Sequence, residues 1–141
     1  PDLLFLDNSA AFVNEAINGY YNTVSIIELK RPMRTGYSND DNPMDQMLRY
    51  VRQIRNKEAK TKGGRPIIVC DTTQFYLYAI CDIDKTLEDI LESRDYKKTP
   101  DNNGYYMYHD KYKAYIEVIP FDKVLHNAKQ RNRAFFKTLG L

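Results

Sequence analysis

Ser25-Ile26-Ile27-Glu28-Leu29-Lys30-Arg31-Pro32 sets an acid and a base two positions apart inside an apolar, β-branched run that begins near Tyr21. Side chains on a strand alternate between its two faces, so Glu28 and Lys30 leave one face together while Leu29 leaves the other. Pro32 lacks the N–H a sheet ladder needs and ends the strand. An E-x-K triplet alone is a weak signal, because it is common on solvated strand faces where it makes an ordinary charge pair. Here Val24, Ile26, Ile27 and Leu29 suit burial, and ionised groups held among such residues need a partner or a task.

Working outward toward the N-terminus, Asp2-Leu-Leu-Phe-Leu-Asp7 reads as another strand, and Asn8 to Asn22, with its Asn18-Gly19 turn signal, as a hairpin or an irregular excursion. On the other side, Gly36 to Pro43 is rich in turn formers and predicts an exposed, mobile loop. Asn42 followed by Pro43 caps a helix on which Met44, Met47, Leu48, Val51 and Ile54 recur at helical spacing to about Asn56. After Gly63-Gly64, Pro66 to Cys70 and Phe75 to Ile80 predict two short buried strands joined by Asp71 to Gln74. Asp84 caps a short helix through Leu87, Ile90 and Leu91. Tyr105 to Tyr108 and Tyr112 to Ile119 suggest a peripheral hairpin, and a last helix from near Pro120 aligns Val124, Leu125, Ala128, Phe135 and Leu139. With no internal repeat and no low-complexity linker, residues 1–141 are expected to form one domain.

Composition narrows the function classes. At 141 residues and 16.6 kDa the chain can bury one core without metal or disulfide staples, and no apolar run approaches the ~20 residues of a membrane span. It starts at Pro1 without an initiator methionine, so it is expected to be the C-terminal piece of a longer polypeptide. Cys70 and Cys81 lie in apolar runs without CxxC spacing, predicting buried reduced thiols and a cytoplasmic setting. Net charge is only +2, but Arg49, Arg52, Arg55, Lys57, Lys60, Lys62 and Arg65 face the single acid Glu58 in one segment, and acids dominate from Asp82 to Asp95. Solvated faces of opposite sign and a phosphate-binding stripe both fit that pattern. His109 and His126 lack metal-ligand spacing, and there is no P-loop, G-x-S-x-G elbow or G-x-G-x-x-G. The alternation of Tyr105, Tyr106, Tyr108, Tyr112 and Tyr115 favours packing in a half-buried hairpin over stacking on bases.

Chemistry therefore centres on Glu28 and Lys30. A hard cation such as Mg²⁺ takes oxygen ligands, usually one or two carboxylates plus water and substrate phosphate. Glu28, a carboxylate from Asp2 and the Leu29 carbonyl could supply them. Lys30 beside the metal could orient or deprotonate the attacking water, or offset charge growing on the phosphate. Gln46 and Tyr50, four residues apart on the next helix, share a face in a Q-x-x-x-Y pattern that Gln53 and Lys57 extend.

The order of acid, strand-borne E-x-K and helical Q-x-x-x-Y over roughly Pro1 to Tyr50 resembles the PD-(D/E)xK nuclease superfamily, especially its RecB-like branch. Pro1-Asp2 stands for the PD element and Glu28-Leu29-Lys30 for the ExK. The resemblance implies an α/β, restriction-endonuclease-like fold: a mixed central sheet with helices on its faces. It implies that Asp2 and Glu28 bind Mg²⁺ or Mn²⁺, that Lys30 acts on the nucleophile, and that Gln46 and Tyr50 position the site or substrate. Asp7, at the far end of the Asp2 run, is the alternative metal ligand. The reaction so implied is hydrolysis of a DNA phosphodiester by a metal-activated water, with Arg31, Arg34, Arg49 and Arg52 as phosphate contacts. The phrase Ile-Glu-Leu-Lys-Arg-Pro also resembles nuclease-like tails of bacterial multidomain proteins, some with an ATPase module and some in phage defence. Expected partners are thus DNA, an upstream ATPase or regulatory domain and, as an open alternative, a second copy of the chain; no membrane is expected. Two other readings stay open: a non-catalytic nucleic-acid-binding module on the same fold, and a protein-interaction or sensor domain.

Overall fold

Period-two burial sets the middle of the sheet. Val24, Ile26 and Glu28 are level with Phe75, Leu77 and Ala79, and these with Ala114, Ile116 and Val118; all nine are fully buried. The computed structural model describes residues 2–6, 9–13, 16–17, 20–60, 64 and 67–140, by backbone alone for 2–6, 9–13, 16–17, 135 and 136. The strands are β1 (Asp2–Leu6), β2 (Ser9–Val13), β3 (Ala16–Ile17), β4 (Tyr20–Leu29), β5 (Val69–Ile80), β6 (Lys97–Lys98), β7 (Tyr105–His109) and β8 (Ala114–Ile119). The helices are α1 (Pro43–Arg55), α2 (Lys85–Ser93) and α3 (Phe121–Thr138). Strand order is β1-β2-β4-β5-β8-β7-β6, with β3 beside β4. The three inner strands β4, β5 and β8 run parallel and the flanking pairs antiparallel. The chain is α/β with a mixed sheet and packed helices, as its sequence predicts.

Both caps that the sequence announces are made. The Asn42 side chain accepts from the Asp45 N–H, with Pro43 opening α1, and Asp84 accepts from the Leu87 N–H at α2. Met44, Met47, Val51 and Ile54 of α1 and Leu87, Ile90 and Leu91 of α2 join the core on one face of the sheet. The Tyr105 hydroxyl, on that same face, donates to Glu88 and Glu92 of α2. The opposite face is left largely open. Helix α3 leaves the end of β8 and stays mostly exposed, with Leu125 at 59% and Leu139 at 56%. No helix among the described residues is long and apolar enough to cross a membrane.

Three expectations change. The runs before and after Asp71 belong to one strand, because β5 pairs with β4 on either side of an irregularity between Tyr21 and Thr23. Arg55 stabilises that irregularity: it donates to the carbonyls of Cys70, Thr73 and Tyr112 at 3.3, 3.2 and 2.8 Å and lies 4.8 Å over the Phe75 ring. The supposed peripheral hairpin is β7 and β8, and β8 lies inside the sheet against β5. The loop before α1 is pinned: Tyr37 is buried at 3%, Ser38 and Asp41 exchange backbone hydrogen bonds, and Arg94 reaches Asp45 and the Asn39 carbonyl. Turn-forming side chains supply local hydrogen bonds as well as conformational freedom, and here they are used for the former.

Candidate active site

Glu28 and Lys30 project from the C-terminal end of β4 onto the face covered by α1, as strand alternation requires. Glu28 is wholly buried and Lys30 is 7% exposed. The Lys30 Nζ lies 2.7 Å from Glu28 Oε1 and donates to Gln46 Oε1 at 2.5 Å. An ammonium can only donate, so the Gln46 amide oxygen must face it. The Gln46 Nε2 is thereby turned to the Tyr50 hydroxyl, 3.0 Å away. Helical spacing of four residues brings Gln46 and Tyr50 together, and α1 packs that pair onto the end of β4. The result is a continuous chain Glu28, Lys30, Gln46, Tyr50.

The pair is close in distance but poorly aligned: neither Glu28 oxygen has a hydrogen-bond partner among the described residues, although Lys30 stands within ion-pair range of one. We take the contact as electrostatic. A buried carboxylate with unfilled lone pairs is costly, and a cation with oxygen preference is the natural complement. Ala79, level with Glu28 on β5, takes little space beside it. Lys30 has three donor directions, and Gln46 takes one, so N–H donors remain for a water or a phosphate oxygen.

The Asp2 expectation is corrected by the register. Asp2 is level with Val13 and Val13 with Val24, four residues before Glu28 on β4. That is about 13 Å along the strand and about 10 Å across two strand spacings. Leu6, at the other end of β1, is level with Ser9 and through it with Glu28. The intervening strand β2, which weak periodicity concealed, causes the offset. Asp7, the alternative ligand, lies outside the described residues. Among the described residues no three His, Cys, Asp or Glu side chains gather as a metal cluster.

Of the four arginines, Arg31, Arg49 and Arg52 are exposed. Arg49 and Arg52 border a hollow of about 360 Å³ with Asn39, Asp40, Asp45 and Leu48. Arg34 is engaged, paired with Asp41 at 2.9 Å and 4.9 Å above the Tyr37 ring. Leu29, whose carbonyl is the expected further ligand, turns its side chain outward at 55% exposure. Sequence reasoning missed Cys81 and Asp82, which follow β5 next to Lys30. The Lys30 N–H donates to the Ile80 carbonyl and the Met33 N–H to Asp82 at 2.5 Å. Burial, and then the Asp82 charge, push the Cys81 thiol up to about 12, against a smaller opposing pull from Lys30. A signal for them existed: they end a buried run running parallel to the E-x-K strand.

No protein-family model, curated protein or solved structure matches this chain. Its site must be read from its own geometry.

Proposed function

We propose that Glu28, Lys30, Gln46 and Tyr50 are the working part of a metal-dependent nuclease site that hydrolyses DNA phosphodiester bonds. The observation that carries this reading is Lys30 Nζ, held between a buried carboxylate and the glutamine of a Q-x-x-x-Y helix. The orphaned Glu28 oxygens fit a hard cation, Mg²⁺ or Mn²⁺, with the Leu29 carbonyl and Asp7, the alternative acid, as the further oxygens. Such an ion, when bound, polarises a phosphoryl oxygen and lowers the pKa of coordinated water. Lys30 aims an N–H at the attacking water or at the phosphate oxygen that gains charge as the phosphorus–oxygen bond to the leaving group breaks. Gln46 fixes the ammonium in that direction, and Tyr50 fixes Gln46. Arg31, Arg49 and Arg52 hold the backbone phosphates without reading sequence. The cysteine usage supports a cytoplasmic setting, and the resemblance supports an upstream ATPase or regulatory domain.

One observation favours a second reading, a nucleic-acid-binding module without catalysis: the register holds Asp2 away from Glu28, so a second carboxylate is not in place beside it among the described residues. The two readings separate on incubation of the chain with single-stranded and duplex DNA in Mg²⁺ or Mn²⁺, with EDTA controls. Metal-dependent cleavage supports the nuclease. Binding that falls steeply with salt, without cleavage in either metal, supports the module.

A further inference from the structure

The open face of the sheet is aromatic. Tyr76 and Tyr78 on β5, Tyr115 on β8, and Tyr106 and Tyr108 on β7 all project from it, because the alternate residues of those strands fill the core. Tyr76 is 36% and Tyr108 48% exposed. Tyr115 meets Tyr76, Tyr78 and Tyr106 at centroid distances of 6.4, 6.4 and 6.5 Å, edge-on or tilted. A hollow of about 460 Å³ opens beside Tyr106 and Tyr115, with Glu117 and Lys123 in its wall. That is the size of a small-ligand site.

Glu117 points to what fills it. It is half-buried among tyrosines and makes no hydrogen bond or ion pair among the described residues, so its oxygens are free to accept from an N–H donor that enters the hollow. Lysines also border it, with Asp101, paired with Lys123 at 2.9 Å, and the exposed Asp110 of the turn among them. Lys97, which shares the face of Tyr106, and Lys111 and Lys113 in the β7–β8 turn are all exposed. A polyanion carrying flat rings with N–H donors satisfies the lysines, the ring faces and Glu117 together.

We propose that this face binds single-stranded nucleic acid, with bases stacked on the tyrosines and an amino-bearing base, such as cytosine, donating to Glu117. Duplex hides both the ring faces and the pairing edges, so it fits poorly. Glu117 is level with Tyr78 and Ile27, one residue before Glu28 on the other face. A strand lying here ends its crossing near the exposed Leu29 and Arg31. The proposal deepens the nuclease reading by naming single strands as its substrate, but the binding itself stands apart from cleavage.

The test is fluorescence anisotropy in EDTA with labelled oligo-dC, oligo-dT and a duplex of equal length. Wild-type protein is expected to bind oligo-dC most tightly and duplex least. Tyr108→Leu and Tyr115→Leu should each weaken single-strand binding by roughly 5- to 150-fold, the scale of one lost base stack. Glu117→Gln should narrow the dC-over-dT preference by about tenfold, the difference between a charge-assisted and a neutral hydrogen bond. Tyr108 is exposed and Glu117→Gln is isosteric, so both variants keep the test valid if Tyr115→Leu fails to fold. Equal affinity for duplex, no single-strand affinity, or affinity indifferent to Tyr108 and Glu117 overturns the proposal. Because EDTA removes metal, loss of cleavage elsewhere leaves this result untouched, and cleavage that ignores the tyrosines leaves the nuclease reading standing without it.

Discussion

Removing the Lys30 ammonium takes away the cation within ion-pair distance of a wholly buried carboxylate. Breaking one side of such a pair costs about 3–5 kcal/mol, because a charge is left buried and uncompensated. Lys30→Met is therefore expected to lose cleavage and stability together, which obscures its role in chemistry. Glu28→Gln combined with Lys30→Met should recover most of the stability in denaturant melts while cleavage stays absent. If the double variant cleaves DNA, neither residue belongs to the reaction. The two cysteines allow a second test at this scale. A hydrogen bond from the Thr72 hydroxyl, 3.1 Å from the sulfur, is the leading cause that lowers the Cys70 thiol to about 7; Thr73 commits its proton to the Tyr21 carbonyl at 2.7 Å. Thiolate forms as pH rises through the pKa, so iodoacetamide should label Cys70 half-maximally near pH 7. Cys81, raised to about 12 by burial, should label only on unfolding. Equal labelling of both thiols in the folded protein would contradict this environment.

At the scale of elements, the Glu28–Lys30 strand and the Gln46–Tyr50 helix are joined by a hydrogen bond from Lys30 to Gln46. Gln46→Ala or Tyr50→Phe should slow cleavage by about 10- to 100-fold with little change in thermal midpoint, the usual scale for losing an outer supporting partner. An unchanged rate would reduce the pair to a helix flank. Much of this meeting was legible in the sequence, because strand alternation, helical periodicity and the Asn42 and Asp84 caps are local rules. Pairing partners and register are not local. The alternation of Tyr112 to Ile119 is the same for an edge strand as for β8, whose inner position depends on β5. The weakly patterned Asn8 to Asn22 segment hid β2, and with it the displacement of Asp2. Leu6 is level with Glu28, so Asp7→Asn, at the next residue in sequence, is expected to impair cleavage more than Asp2→Asn. The reverse order would reject the β1–β2–β4 register.

Across the whole molecule, the two faces of one sheet divide the work. One buries the core and carries Glu28 and Lys30 at its C-terminal end, under α1; the other is open, tyrosine-rich and bordered by lysines. The alternation of the tyrosines favoured packing over stacking on bases, because the sequence alone does not place the covering helices. Here α1 and α2 both cover the core face, which leaves the tyrosines to solvent. The central claim is that the buried Glu28 carboxylate holds a divalent metal that DNA cleavage requires. It is tested most directly by titrating Mn²⁺ into wild-type protein and Glu28→Gln, following metal binding by calorimetry and strand cleavage in the same samples. The account predicts that wild type binds Mn²⁺ and cleaves in proportion to its occupancy, and that the folded Glu28→Gln variant does neither. Cleavage or Mn²⁺ affinity unchanged by Glu28→Gln would contradict it.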